Sequence, residues 1–350
     1  MIELTDLING YTYKPDNSLW LSKDNEPGLI LRNIHFHMRD IPHDLPGIWR
    51  YKKAFALPDA CSMVGFGEGM SPIAELEIYG HSIRVKQEYL FPTGSYKDRG
   101  AALMLSAAKT FGISEILEDS SGNAGCAVSA YAAAAGISCS IYVPEKASEA
   151  KIRQMELYGA NVHKITGNRQ DAAAAALQQA GSTWFASHVY NPWFYEGTKT
   201  FAYEIWEQMG EQMPEEILFP VGNGTLILGT YIGFRELKAS GLIDKIPALS
   251  AVQASNCAPL CGSSTFSATV AEGIAVQKPA RHKQILHVIL ETGGRAISAA
   301  EKDIVQARKD AAAKGFYIEY TSATVLAGLK QFDPKTGILV PLTGHGLKNN

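Results

Sequence analysis

A turn containing proline and glycine leads directly into a predicted helix at Phe91-Pro92-Thr93-Gly94-Ser95-Tyr96-Lys97-Asp98-Arg99-Gly100. Residues that recur at helical spacing share one face of this helix: Tyr96, Gly100, Leu103, Met104, Ala107 and Phe111. Ser95 and Asp98 have the spacing of a capping box, and Gly112 is placed to end the helix. The pattern therefore predicts that Lys97 lies in the first turn of a mostly buried helix.

A lysine in this position indicates covalent cofactor chemistry. A buried ammonium is costly unless it is paired or consumed in a bond, and desolvation lowers the pKa of an amine into the range that Schiff-base formation with an aldehyde requires. The cofactor that this chemistry suggests is pyridoxal 5'-phosphate. The alternative is a charge at the helix start that only lies near a phosphate or a carboxylate.

Two loops, each between a predicted strand and a predicted helix, are suited to bind anions. The first contains Gly222, Asn223, Gly224 and Thr225, and its glycines allow backbone N–H groups to converge on an anion at a helix N-terminus. The second is Ser120-Ser121-Gly122-Asn123-Ala124, whose hydroxyl and N–H groups suit a carboxylate. Either loop could also be an ordinary helix cap. Together with Lys97, the first loop indicates a site for the cofactor's phosphate.

The order of these motifs resembles that of the threonine synthase and serine/threonine dehydratase family, the fold-type-II pyridoxal-phosphate enzymes, which include the tryptophan synthase β family. The resemblance spans most of the chain and rests on these segments: Gly47–Tyr51, Gly67–Ile73, Lys97, Ser120–Asn123 and Leu342–Lys348. It implies that Lys97 is the Schiff-base lysine and the catalytic residue. It also implies that the Gly222–Thr225 loop binds the cofactor phosphate and that Asn123 lies beside the cofactor's 3-hydroxyl.

The resemblance implies further roles for the Ser120 loop and for Thr343. The substrate α-carboxylate would be bound by Ser120, Ser121, Gly122 and Ala124. The Thr343 hydroxyl would meet the pyridine nitrogen. Because a neutral hydroxyl does not hold that nitrogen protonated, loss of a leaving group is favoured over transamination. The Lys97 amine, once freed, would act as general base at Cα.

The chain length and the element pattern predict two α/β lobes. A chain of 350 residues exceeds the usual size of one compact core. Strands alternate with helices, which predicts two doubly wound lobes with parallel sheets and with the cofactor in the cleft between them. The resemblance places a small lobe at residues 89–188, and a large lobe at 1–88 and 189–350 with an irregular N-terminal arm.

Within the large lobe, three local predictions concern element type. Residues 195–209 are predicted to form one helix, residues 286–290 a strand, and residues 296–313 one helix.

The bulk properties favour a small-molecule partner. The formal net charge is -3 and the charges are interspersed without a basic run, so nucleic-acid binding has little support. The N-terminal residues lack the features of a signal peptide, and no apolar stretch approaches bilayer length, so a cytoplasmic protein without a membrane partner is expected. The five cysteines are odd in number and lack C-x-x-C spacing, so neither a disulfide framework nor a metal site is expected. The resemblance implies a homodimer.

The predicted function is a pyridoxal-phosphate-dependent, threonine synthase-like lyase or synthase that performs β- or γ-elimination or replacement on a small amino acid. Phe194 stands where threonine synthases usually carry an arginine for the substrate phosphate, and Ala124 replaces a hydroxyl residue. O-phosphohomoserine would then need another cation, with these candidates: Arg153, Arg169 and Lys199. The alternatives are a serine/threonine ammonia-lyase that gives a 2-oxo acid, and a catalytically silent ligand-binding relative.

Overall fold

The computed structural model describes residues 3–13, 27–32, 37, 41–42, 44–180, 182–210, 212–332 and 337–349. The strands are β1 Leu4–Thr5, β2 Thr12–Tyr13, β3 Leu29–Ile30, β4 Ile73–Ile78, β5 His81–Lys86, β6 Glu115–Glu118, β7 Ser138–Pro144, β8 Asn161–Ile165, β9 Trp184–Phe185, β10 Glu216–Pro220, β11 Ala248–Ala254, β12 Ala296–Ala299 and β13 Ile338–Pro341. The α-helices are α1 Lys97–Thr110, α2 Asn123–Ala135, α3 Glu149–Leu157, α4 Arg169–Gln179, α5 Pro192–Thr198, α6 Thr200–Met209, α7 Thr225–Ala239, α8 His282–Glu291, α9 Glu301–Ala313 and α10 Tyr320–Gly328.

The chain divides into two compact units. The first unit comprises residues 1–69 and 97–200, and the second comprises residues 70–96 and 201–350. The division into lobes at residues 89 and 188, and the cleft between lobes, stay predictions.

The first unit is built on a parallel sheet with the strand order β8-β7-β6-β9. Helix α2 joins β6 to β7, and its alanine-rich sequence favours a helix that ends at Gly136, a residue with a φ of 72°. Helix α1 packs against α2 and α5. A second, antiparallel sheet has the order β2-β1-β3, so the described part of the predicted irregular arm contains short paired strands.

The second unit is built on a sheet with the order β12-β11-β10-β13-β5-β4, which is parallel except for β4. The strands β10 and β13 are almost wholly buried, as expected for a parallel sheet covered on both faces. They are parallel neighbours, with Glu216 opposite Ile338. Their carboxyl ends therefore place the Gly222–Thr225 loop and Thr343 at the same edge of one sheet.

Most predicted elements are confirmed, including α2, α4, β8 and the strand–helix pair β10–α7. The predicted strand at 286–290 is wrong, because these residues lie inside α8. Its buried residues Ile285, Val288 and Ile289 recur at helical spacing. The predicted helix at 296–313 begins with a strand, since residues 296–299 pair with β11 and the helix α9 starts only at Glu301.

The predicted single helix at 195–209 is two helices. Helix α5 starts earlier, at Pro192, where the Asn191 side chain accepts a hydrogen bond from the N–H of Trp193. It ends at Thr198, and α6 begins at Thr200. Among the described residues, no helix has the length and apolarity that crossing a membrane needs.

Candidate active site

Lys97 is the first residue of α1 and is half-buried, whereas residues 98–108 of the same helix are all buried. The prediction that it lies in the first turn of a mostly buried helix is confirmed. The predicted capping box is wrong, because the buried Ser95 Oγ has no hydrogen-bond partner among the described residues. Ser95 instead forms a β-bridge with Gly344.

Tyr96, the residue before Lys97, contacts both of the second unit's predicted cofactor-binding segments. Its backbone N–H donates to the carbonyl oxygen of Thr343 at 3.1 Å. Its phenol oxygen lies 2.7 Å from Thr225 Oγ1. Sequence reasoning assigned Tyr96 only to a helix face and missed this role, because the three residues are far apart in the chain.

The Gly222–Thr225 loop leaves the end of β10 and starts α7 in a manner suited to a phosphate. Gly224 is the N-cap residue, has a φ of 78°, and provides no side-chain cap for the helix N–H groups. A Cβ at Gly224 would lie 2.6 Å from the side chain of Ile285, and one at Gly222 would lie 3.0 Å from Ile274 Cα. The first-turn N–H groups, at the positive end of the helix dipole, can therefore receive an anion.

The crowding at Gly224 leads to a prediction with a matched control at the other end of α7. Gly241 has a φ of 69°, and a Cβ there would meet nothing within 4 Å. Gly241→Ala should destabilise the protein by about 1–2 kcal/mol, because it places a side chain in the left-handed region. Gly224→Ala should cost more, because its Cβ would also collide with Ile285. Only Gly224→Ala should also weaken pyridoxal phosphate binding, which we expect to fall about tenfold or more at an anion site of this kind. Fluorescence titration of the apoenzyme measures this; equal cofactor affinities in the two variants would contradict the assignment.

The Ser120–Ala124 loop joins the end of β6 to the start of α2 in the first unit. Gly122 is the N-cap residue and, as a glycine, provides no side-chain cap for the helix N–H groups. Ser120 is buried, and its Oγ accepts a hydrogen bond from the N–H of Gly122 at 3.3 Å. A Cβ at Gly125 would lie 2.0 Å from the Ser120 carbonyl oxygen, so the turn requires this glycine. Ser120, Ser121, Gly122, Asn123 and Ala124 thus share one helix-start turn, which suits a carboxylate.

Thr343 follows β13 and is buried. Its hydroxyl lies 3.1 Å from the Ser322 hydroxyl of α10, which also accepts a hydrogen bond from the N–H of Gly344 at 3.0 Å. The Ser322 hydroxyl therefore orients the residue predicted to meet the cofactor ring. His345 lies edge-on to the rings of Tyr89 and Tyr317.

Phe194 and Lys199 are both part of the packed core of the first unit. Phe194 is fully buried in α5, and a Cβ at Gly100 would lie 2.4 Å from its ring. Lys199 is also fully buried, and its ammonium donates to Glu196 at 2.8 Å and to the carbonyl oxygen of Ala54 at 2.9 Å. The Lys199 ammonium, one of the three cations considered for a substrate phosphate, is therefore already used in hydrogen bonds within the core. Arg153 and Arg169 are exposed.

A carboxylate and an imidazole that sequence reasoning missed lie directly before the Ser120 loop. Glu118 Oε1 lies 2.6 Å from His188 Nδ1, and Glu118 Oε2 accepts the backbone N–H of His188 at 3.0 Å. Asp119 Oδ1 accepts a hydrogen bond from the Ser187 hydroxyl at 3.2 Å. Burial raises the pKa of Glu118 and lowers the pKa of His188. Two consecutive acidic residues at the end of a buried strand were the available signal in the sequence.

Comparison with known proteins decides the family. The family described as "Pyridoxal-phosphate dependent enzyme" matches residues 64–344. The chain belongs to this family. Its match includes Lys97 and every residue predicted to bind the cofactor, so the predicted family and cofactor are confirmed.

Curated relatives in this family include threonine synthases. That of Methanocaldococcus jannaschii is 32% identical over 327 residues, which cover 87% of this chain and 81% of the relative. That of Mycobacterium leprae is 33% identical over 321 residues, which cover 87% of this chain and 89% of the relative. The protein is a pyridoxal-phosphate-dependent enzyme of the lyase or synthase type.

Solved structures confirm the fold class. A fungal L-serine ammonia-lyase from Rhizomucor miehei has a TM-score of 0.69 and 19% identity, and the match covers 81% of this chain and 95% of that chain. A pyridoxal 5'-phosphate-dependent aspartate racemase has a TM-score of 0.67 and 22% identity, and the match covers 87% of this chain and 97% of that chain. The chain has the α/β fold of the fold-type-II pyridoxal-phosphate enzymes.

Proposed function

We propose that the enzyme performs threonine synthase-like β- or γ-elimination or replacement on a small amino acid, with Lys97 as its catalytic residue. The observation that carries this proposal is the position of Tyr96, which is hydrogen-bonded to both Thr225 and Thr343 and is followed directly by Lys97. Within the second unit Tyr96 thus connects a phosphate-type loop to a buried hydroxyl, and Lys97 is the next residue in the chain. The similarity to threonine synthases over most of the chain supports the same reaction class.

The residues fit the cofactor that the family requires. Its phosphate would be held by Gly222, Asn223, Gly224 and Thr225, its ring nitrogen by Thr343, and its 3-hydroxyl by Asn123. When bound, pyridoxal phosphate supplies an aldehyde that condenses with amines and a conjugated ring that stabilises negative charge at Cα.

The chain's own groups supply the positioning and the proton transfer. The turn formed by Ser120, Ser121, Gly122 and Ala124 would hold the substrate carboxylate at the start of α2. The Lys97 amine would remove the proton from Cα and later return it. The neutral Thr343 hydroxyl, kept in place by Ser322, would leave the ring a weaker electron acceptor than a carboxylate partner would, which favours loss of a leaving group.

A serine/threonine ammonia-lyase is the second candidate, and the Phe194 position favours it. A buried phenyl ring stands where threonine synthases are expected to carry a phosphate-binding arginine, and Lys199 is held by Glu196. Each charge-assisted hydrogen bond that a phosphate loses removes about 1.5–3 kcal/mol of binding. An unphosphorylated substrate would not need such contacts.

We further propose that the enzyme is a cytoplasmic homodimer. Light scattering of the purified enzyme tests the oligomeric state.

Assays with four amino acids test the proposed function. We expect the cofactor-loaded enzyme to convert at least one of O-phospho-L-homoserine, L-homoserine, L-serine and L-threonine. Release of phosphate with formation of threonine would identify threonine synthase chemistry, and release of ammonium with a 2-oxo acid would identify an ammonia-lyase. A protein that binds the cofactor but converts none of the four would contradict the proposal and favour a ligand-binding relative.

A further inference from the structure

The hydrogen bonds between Glu118 and His188 determine how the imidazole is protonated. The backbone N–H of His188 can only donate, so Glu118 Oε2 acts as an acceptor. The other carboxylate oxygen, Oε1, lies 2.6 Å from Nδ1. Burial raises the pKa of Glu118, whereas Lys97 and Arg169 lower the pKa of Glu118 and so favour its ionised form. An ionised carboxylate in this position holds the proton on Nδ1, and Nε2 then carries the lone pair.

His188 Nε2 is available to act on another molecule. Among the described residues it has no hydrogen-bond partner, although the side chain is only 5% exposed. Nε2 is not one of the fully buried polar atoms without a hydrogen-bond partner. Part of the small exposed surface of the His188 side chain therefore lies at this atom. The ring of Phe194 stands edge-on at 6.0 Å between centroids, which fixes one side of the imidazole.

Burial, and after it the charged groups around the pair, favour the neutral imidazole by lowering the pKa of His188. Besides burial, Lys97 from α1 and Arg169 from the start of α4 lower the pKa of His188. Burial and then Asp119, which directly follows β6, raise the pKa of Glu118, whereas Lys97 and Arg169 lower it. Cys139 of β7 also lies within electrostatic reach of Glu118. A neutral imidazole with a free Nε2 is a proton acceptor. Its Lys97 neighbour is the residue that handles the Cα proton.

The side chains of Glu118, Asp119 and His188 fit a carboxylate–imidazole pair better than a metal site. Donor atoms of Glu118, Asp119 and His188 lie within 4.8 Å of one another. However, Nδ1 and both oxygens of Glu118 are already used within the pair, and Lys97 and Arg169 supply positive charge beside it. The geometry is instead that of a carboxylate–imidazole pair.

We propose that His188 Nε2, oriented by Glu118, accepts the proton of the water molecule that replaces the leaving group of the substrate. The inference rests on the proposed function and makes replacement by water part of it. Loss of the Cα proton to Lys97 and of the leaving group with its electron pair generates a carbon–carbon double bond. The water oxygen then bonds to the side-chain carbon, while its O–H bond breaks and the proton passes to Nε2. The electron pair displaced from the double bond forms the new C–H bond when the Lys97 ammonium returns a proton to Cα.

Glu118 is a positioning residue in this step, since it acts through His188. A glutamine at position 118 can donate to Nδ1 and thereby favour the tautomer with the proton on Nε2, which cannot accept another. Glu118→Gln should therefore resemble His188→Asn in its effect. Glu118→Asp, which retains the carboxylate, should recover part of the function.

β-Chloro-L-alanine is the probe that isolates the proposed step, because chloride leaves without needing a proton. Replacement by water gives L-serine, and elimination gives pyruvate and ammonium. We expect the ratio of L-serine to pyruvate to fall about 100-fold or more in His188→Asn, the range in which a positioned base acts. His163→Asn is the matched control, since His163 is a half-buried histidine of the same unit that stacks on Tyr142, and it should leave the ratio unchanged.

Histidine NMR of the isotope-labelled holoenzyme supplies a readout that does not depend on turnover. The inference requires a proton on Nδ1 of His188 and none on Nε2 at neutral pH, with this pattern reversed in Glu118→Gln. A proton on Nε2 in the wild type overturns it, and so does an unchanged product ratio in His188→Asn. A wild type that forms only pyruvate overturns the water step but leaves the proposed elimination standing. If the wild type does not consume β-chloro-L-alanine, the assay with the four amino acids decides the proposed function, and a proton on Nε2 in the NMR spectrum still overturns the inference.

Discussion

Lys97→Ala is expected to abolish turnover of every substrate while the protein remains folded. In the proposed mechanism the amine would both condense with the cofactor aldehyde and move the Cα proton, so its loss would remove two functions at once. The fold should survive because alanine is a good helix former and Lys97 is the half-buried first residue of α1. Product formation over a range of substrate concentrations measures the loss, and circular dichroism measures the fold. Some cofactor binding should persist through the Gly222–Thr225 loop.

Two lysine variants separate chemistry from charge. Lys109→Ala removes an exposed lysine from the far end of the same helix and should leave activity unchanged. Lys97→Arg retains a positive charge beside Glu118 and His188, but a guanidinium cannot act as an amine nucleophile at accessible pH. It should therefore be as inactive as Lys97→Ala. Normal turnover in either Lys97 variant would contradict the proposed mechanism.

Phe194→Arg is expected to destabilise the protein by about 3–5 kcal/mol, the range for loss of a buried aromatic side chain. The ring is fully buried against Gly100 in the first turn of the lysine helix, and it stands beside His188. The substitution removes this packing and places a charge in the core, where an unpaired charge is strongly unfavourable. Urea unfolding of the apoenzyme measures the change in the free energy of unfolding.

The control for this substitution is Phe194→Leu, which keeps an apolar side chain and should cost about 1 kcal/mol. The same pair of variants tests the substrate argument. A Phe194→Arg enzyme that is as stable as the wild type and gains activity on O-phospho-L-homoserine would show that position 194 faces the substrate. In that case the phenylalanine would be a specificity residue and not a core residue.

Local patterns succeeded where neighbouring residues in the chain decide the structure. Helix α2 and its end at Gly136 follow from an alanine-rich run and a left-handed glycine, and the loop at Gly222–Thr225 follows from glycines between a strand and a helix. The pattern failed at residues 286–290, where a short apolar run fits a buried strand as well as a helix. It also failed at residues 296–299, where the decisive factor is pairing with β11.

The amino-acid sequence by itself determined the family and the cofactor and predicted the catalytic lysine, because these depend on residue types in a fixed order along the chain. Only the tertiary structure showed that Tyr96 connects Thr225 with Thr343, that Lys199 is engaged by Glu196, and that Phe194 packs on Gly100. It alone joined Glu118 to His188. These contacts depend on how strands and helices pack, and side chains distant in the chain leave no periodic signal of such a meeting in the sequence.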